Sequence, residues 1–178
     1  MEWLRDVPVL ERERGVSRVE IVEWHPRFAG HFRRLNEAWI SRYFELEPDD
    51  LRTLGDPAGE IIARGGAIVF ALAGGQVVGT GALVHEDEGV YELAKMAVDP
   101  AWQGRGIGQL VAERLLSIAR LRGARKVELV SQTDLAAAIR LYERLGFRRV
   151  PLGKAAYKRA NVRMEVGLAG KGTAVNTA

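Results

Sequence analysis

The chain has 178 residues, 47% of them hydrophobic, with a formal net charge of +3 and no cysteine. That length suits one domain with a real core and is short for two. The missing cysteine excludes a disulfide framework, a thiolate metal site and a cysteine nucleophile, and the basic residues are interleaved with acids rather than blocked as in a nucleic-acid arm.

Residues 1–15 read as an N-terminal extension, 16–168 as a single domain, and 169–178, small and polar, as a flexible tail. Val19, Ile21 and Val22 mark a first strand that stops before His25-Pro26. Phe28, Phe32, Leu35, Trp39 and Tyr43 then recur at helical spacing, which predicts a helix over residues 27–44. Pro48 with Asp49-Asp50 opens a helical turn, and Pro57 opens another through Ile62. Residues 67–73 and 76–84 are β-rich runs joined by Gly74-Gly75, a hairpin signal. Residues 91–98 form the next strand, which Asp99-Pro100 ends. A helix burying Ile107, Val111, Leu115 and Ile118 then runs to Gly123. Residues 126–130 read as a buried strand. Leu135, Ala138, Ile139, Tyr142 and Leu145 form a helical stripe closed by Gly146, with Thr133 or Asp134 placed to cap it. Residues 147–152 and 162–168 supply two terminal strands. This order predicts an α/β (α+β) fold, a mixed sheet with helices on both faces, and a right-handed parallel crossover over residues 91–130.

The most informative stretch is the loop between strand and helix, Asp99-Pro100-Ala101-Trp102-Gln103-Gly104-Arg105-Gly106-Ile107-Gly108. The first-turn N–H groups of a helix lack intrahelical partners, so glycines there let them meet a phosphate. A dinucleotide fingerprint fails because its third glycine position holds Gln109, and no Gly-Lys-Ser/Thr of a Walker loop follows. What matches is Q-x-x-G-x-G, filled by Gln103, Gly106 and Gly108.

That motif resembles the pyrophosphate-binding signature of the GNAT family of acyl-CoA-dependent N-acyltransferases. Ala138-Ile139-Arg140-Leu141-Tyr142-Glu143-Arg144-Leu145-Gly146-Phe147 is similar to a second family landmark, and the two occur in the family's order. The resemblance implies a mostly antiparallel twisted sheet of six to seven strands. It implies acetyl-CoA as donor, held by backbone groups beside Ala97 and Val98 and by Gln103, Gly104, Arg105, Gly106, Ile107 and Gly108. Tyr142 matches the tyrosine that many members aim at the coenzyme's sulfur, where a neutral phenol can serve as general acid. Glu92 has the spacing of a family glutamate that serves as base, with Glu128 as the weaker alternative. An asparagine often found where Leu135 stands is missing here. Homodimers are common in the family, which leaves a second copy of this chain as a partner.

The expected activity is transfer of acetyl to a primary amine of a small molecule or peptide, directly and in a ternary complex. The alternative is a catalytically silent acyl-CoA-binding sensor or interaction module. Trp39, Tyr43 and Tyr157 are candidates for the acceptor site, and the surrounding Lys154 to Arg159 reads as a solvated loop. His25 and His31 lack a metal spacing and His85 reads as a surface residue, so no metal is expected. Residues 1–6 lack the apolar core of a signal peptide and no apolar run approaches ~18 residues, which predicts a cytoplasmic protein with no membrane or nucleic-acid partner.

Overall fold

Alternate residues of a strand near one edge of the sheet face two different apolar cores. The computed structural model describes residues 18–155 and 157–168, so the expected extension at 1–15 and tail at 169–178 lie outside the described residues. The strands are β1 (Val19–Glu23), β2 (Ala67–Ala73), β3 (Gln76–Asp87), β4 (Val90–Val98), β5 (Lys126–Ser131), β6 (Arg148–Val150) and β7 (Val162–Gly167). The helices are α1 (Ala29–Tyr43), α2 (Pro48–Gly55), α3 (Ile107–Leu121) and α4 (Ala136–Arg144), with a π-helical turn at Ala58–Ile62. The sheet runs in the order β1-β2-β3-β4-β5-β7-β6 and is antiparallel except between β4 and β5.

In β2, Ile68 and Phe70 pack with Phe32, Leu35 and Ile40 of α1, while Val69 and Ala71 face Val111 and Leu115 of α3. Both faces of the strand are therefore apolar, as its near-continuous hydrophobic run requires. Gly74 and Gly75 have φ of 55° and 81°, the two positive values that a two-residue hairpin turn of this hand demands. Gly81 in β3 lets α3 sit close to the sheet, because a Cβ there would run into Met96, Val111 and Leu115.

Two irregularities in β4 and its neighbours shape the site. The parallel pairing of β4 with β5 covers only Val90, Glu92 and the residue between, against Lys126 to Glu128, so beyond Glu92 the two strands part. On the other edge Thr80 pairs with Ala97 but Ala82 pairs with Ala94, which inserts an extra residue into β4. Lys95, in that bulge, has φ of 55° and is the single non-glycine residue at positive φ among the described residues.

Candidate active site

A cavity of about 620 Å³ opens where β4 and β5 separate, a size that suits a small-molecule site. Its walls come from Leu93 to Val98 of β4, Val130 and Ser131 of β5, the glycine loop, α1 and α4. Asp99 accepts from the Ala101 N–H at 2.9 Å and the Gln103 side chain donates to the Val98 carbonyl at 3.2 Å, which folds the loop back onto the end of β4. Gly104 and Gly106 have φ of 74° and 78°, a backbone that favours glycine. Gly106 is the N-cap of α3 and no side chain caps that helix, so its first-turn N–H groups are left for another acceptor.

These residues fit the pyrophosphate-bearing donor that the motif implies. Nothing lies within 4 Å of where a Cβ on Gly104 or Gly106 would stand, and Gln103, Gly104, Gly106, Ile107 and Gly108 all line the cavity. Ala97 and Val98 line it too, on the edge of β4 that β5 has left. Arg105 is placed differently: its guanidinium lies 4.6 Å from the Trp102 ring centroid and donates to the Ala101 carbonyl at 3.4 Å, off the cavity wall.

Glu92 lies at a junction. It lines this cavity and a second one of about 370 Å³, and Ala94, Lys95, Val130 and Tyr157 form the rest of the shared wall. Burial pushes the Glu92 carboxyl up, neighbouring Glu86 adds to the effect through charge and a hydrogen bond, and Lys95 opposes it, leaving a value of about 7. Glu86 comes alongside because β3 bulges between His85 and Asp87. Glu128, the other candidate base, is held by Arg163 and Lys126, each at 3.3 Å.

Tyr142 sits on the apolar stripe of α4 and also lines the larger cavity, so packing and function are compatible. Its ring meets Phe147 edge-on at 5.9 Å, and burial pushes its hydroxyl up to about 12. Neither Thr133 nor Asp134 caps α4, contrary to expectation: the N-cap is Leu135, without a side-chain hydrogen bond. Thr133 instead exchanges hydrogen bonds with Asn161, and Asp134 accepts from Gln132. His85 is exposed and edge-on to Tyr91 at 5.2 Å, away from the larger cavity.

Trp39 and Tyr43 line the larger cavity, and Tyr157 lines both. The expectation of a solvated loop from Lys154 to Arg159 does not hold at its end. Arg159 makes a two-pronged ion pair with Asp50 at 2.7 and 2.9 Å, and Lys95 donates to the same carboxylate at 2.6 Å. Asp50 and Lys95 went unnoticed in the sequence, where Asp50 reads only as a helix-opening residue. Asn36 was also missed. It is 1% exposed, bonds the Phe32 carbonyl at 2.9 Å, and lines the larger cavity; an amide on an apolar helical stripe was its one available signal. Among the described residues no helix is long and apolar enough to cross a membrane, and no group of three or more acidic, histidine or cysteine side chains could hold a metal.

A splayed pair of parallel strands beside a glycine loop and an uncapped helix is the architecture of an acyl-CoA-dependent transferase. The model of the acetyltransferase (GNAT) family matches residues 23–147, and the chain belongs to that family. Among its relatives, mycothiol acetyltransferase of Rhodococcus erythropolis is 32% identical over 139 residues, 77% of this chain and 42% of that protein. N-alpha-acetyltransferase RimI of Mycobacterium tuberculosis is 44% identical over 68 residues, 38% of this chain and 41% of that one. N-acetylaspartate synthetase of Danio rerio is 39% identical over 87 residues, 48% of this chain and 31% of that one. The chain thus matches less than half the length of each. Similar solved structures include a GNAT-family acetyltransferase from Staphylococcus aureus (TM-score 0.76, 18% identity, 85% of this chain and 99% of that one). Another is the PaiA N-acetyltransferase of Thermoplasma acidophilum in complex with coenzyme A (TM-score 0.66, 16% identity, 84% and 99%). These two share the fold.

Proposed function

We propose that the protein is an acetyl-CoA-dependent N-acetyltransferase acting on a primary amine by direct transfer in a ternary complex. The observation that carries this reading is the position of Glu92, a carboxyl near neutrality in the wall between two cavities, one of which ends on the glycine loop. The names N-alpha-acetyltransferase and N-acetylaspartate synthetase both describe N-acetylation, which supports an amine acceptor.

Bound acetyl-CoA supplies a thioester carbonyl for attack and a thiol as leaving group. Backbone N–H groups from Gln103 to Gly108 bind its pyrophosphate, and the free edge of β4 at Ala97 and Val98 pairs with its pantetheine as a further strand would. An alkyl amine of pKa ~10.4 arrives as ammonium, so Glu92 takes one proton from its nitrogen before attack. The nitrogen loses a second proton as the C–N bond forms, the departing sulfur takes one up, and one proton is released overall. Tyr142, at about 12, stays neutral at pH 7. A donor that weak as an acid stabilises a thiolate of pKa ~8.5 by hydrogen bonding, more than by surrendering its proton. The acceptor occupies the smaller cavity, with Tyr157 at the passage and Trp39 and Tyr43 along the donor side. Holding both reactants in attack geometry supplies much of the rate. Small molecules and peptide amines both suit this site, and a cytoplasmic setting with a second copy of this chain as partner completes the proposal.

The test is thiol release from acetyl-CoA across a panel of primary amines. Release that depends on the amine supports the reading. Calorimetric binding of CoA with no release for any amine overturns it in favour of a silent acyl-CoA sensor.

A further inference from the structure

The wall between the two cavities is held by charges that the acetyl-transfer scheme leaves unused. Asp50 is 0% exposed and accepts four hydrogen bonds. They come from Lys95 at 2.6 Å, from Arg159 at 2.7 and 2.9 Å, and from the Glu47 N–H at 2.9 Å as part of the α2 capping box. Glu47 accepts from the same Arg159 at 3.1 Å and from the Lys158 N–H at 2.9 Å, so two anions face two cations. Lys95 also donates to the Tyr157 hydroxyl at 2.8 Å, and the Tyr157 ring lies 4.6 Å from the Lys95 ammonium and 4.4 Å from the Arg159 guanidinium.

Three distant segments therefore meet on one buried carboxylate: the start of α2, the bulge of β4, and the loop before β7. Two of them form the passage. Lys95 and Tyr157, hydrogen-bonded to each other, both line both cavities, as Glu92 does. Lysine disfavours left-handed backbone, so something must hold the bulge in place. The Lys95 side chain, 5% exposed and fixed at its end by Asp50, does so.

We propose that Asp50 and Lys95 are positioning residues for acetyl transfer: their buried ion pair holds the β4 bulge and the Tyr157 loop together as one wall of the passage through which the acceptor amine reaches the thioester. Neither touches the reacting atoms. The proposal rests on the acetyltransferase reading above. A structural role alone would be a poor use of such a pair, since buried ion pairs add little net stability over apolar packing. The Lys95 ammonium also faces Glu92, together with Glu86 of β3 and Glu128 of β5, and with Tyr157 and Arg163 around the second cavity. Its charge favours the ionised form of Glu92, so the pair bears on the base as well as on the passage.

The test compares wild type, Asp50→Asn and Lys95→Met in thiol release with acetyl-CoA and the best primary amine of the panel. Calorimetry with CoA and hydrogen exchange accompany it. Asp50→Asn strands the buried Lys95 ammonium, leaves Arg159 with Glu47 alone and risks misfolding, whereas Lys95→Met leaves Asp50 paired with Arg159. Expected for folded Lys95→Met is a kcat lowered roughly 10- to 100-fold with an unchanged Kd for CoA. Its acid limb of kcat/KM moves to higher pH, because Glu92 has lost a cation. Amides of residues 94–97 and 157–161 lose protection together. Wild type that releases no thiol with any amine overturns the acetyltransferase reading and this proposal with it. Active wild type with an unchanged kcat and acid limb in folded Lys95→Met overturns the positioning role alone, as does a fall in kcat matched by an equal loss of CoA affinity.

Discussion

Glu92 and Tyr142 line one cavity and burial raises both, yet only Glu92 reaches neutrality, at about 7 against about 12. The same physical cause thus leaves one group able to exchange a proton at pH 7 and the other locked as a donor. For Glu92→Gln, kcat/KM falls roughly 10²- to 10⁴-fold. The wild-type profile climbs through an acid limb near pH 7, where Glu92 ionises, and the variant loses that limb. Its activity rises only as the free amine itself deprotonates. A variant profile that keeps the limb removes Glu92 from the role of base.

Removal of Glu86 tests the cause of that value. Its charge and hydrogen bond add to burial in raising Glu92, so Glu86→Gln lowers the Glu92 pKa and moves the acid limb to lower pH. The direction is opposite to that expected for Lys95→Met. Movement of both variants in one direction contradicts the electrostatic picture of the junction.

Tyr142→Phe keeps the ring against Phe147 and deletes only the hydroxyl. With no loss of packing, thermal stability and the Kd for CoA stay at wild-type values, while kcat falls by about 10- to 100-fold from the lost hydrogen bond to sulfur. Full turnover in the variant returns Tyr142 to the core alone.

The elements that obey a period are legible in the sequence, and so is the glycine-loop part of the candidate site. The stripes of α3 and α4, the Gly74-Gly75 hairpin and the Q-x-x-G-x-G loop each act within a short window, so local chemistry determines them. The Lys95 bulge has no such window. No glycine or proline marks it, because an ion pair with Asp50, far away in the chain, stabilises a backbone that lysine would otherwise avoid. Arg159 reads as a surface residue for the same reason: its partners, Glu47 and Asp50, lie in α2 and its N-cap, and charged pairing leaves no periodic trace. The cap of α4 misleads in the opposite way. Thr133 is a good capping residue by type, but Asn161 has taken its hydrogen bonds.

Glycine substitutions separate backbone demand from mere space. Gly30 lies inside α1 with ordinary helical backbone and nothing within 4 Å of a new Cβ, so Gly30→Ala stabilises by about 0.5–1 kcal/mol. Gly106 also has open space, but its φ of 78° makes Gly106→Ala costly by roughly 1–2 kcal/mol, and the Cβ adds bulk to the proposed pyrophosphate cradle. Urea denaturation and CoA titration distinguish the two: Gly30→Ala moves only stability, upward, and Gly106→Ala lowers both. Equal effects at the two sites contradict the cradle.

Acid stability reports on Asp50. Burial on its own would raise the carboxyl, but hydrogen bonds from Arg159, Lys95 and the Glu47 N–H outweigh it and hold the value at about 2, below the ordinary 3.8. A folded-state pKa below the unfolded one contributes stability that is complete above about pH 4 and is lost as the pH falls toward 2. The difference corresponds to about 2 kcal/mol. Urea denaturation of wild type at pH 5 and pH 2.5 therefore shows a fall in which Asp50 has a share, and Asp50→Asn, less stable at pH 5, shows a fall smaller by about that amount. Lys95→Met gives an intermediate result, since Arg159 still pairs with the carboxylate. If wild type and Asp50→Asn lose the same stability over this interval, the carboxylate is not the buried anion on which the passage is built.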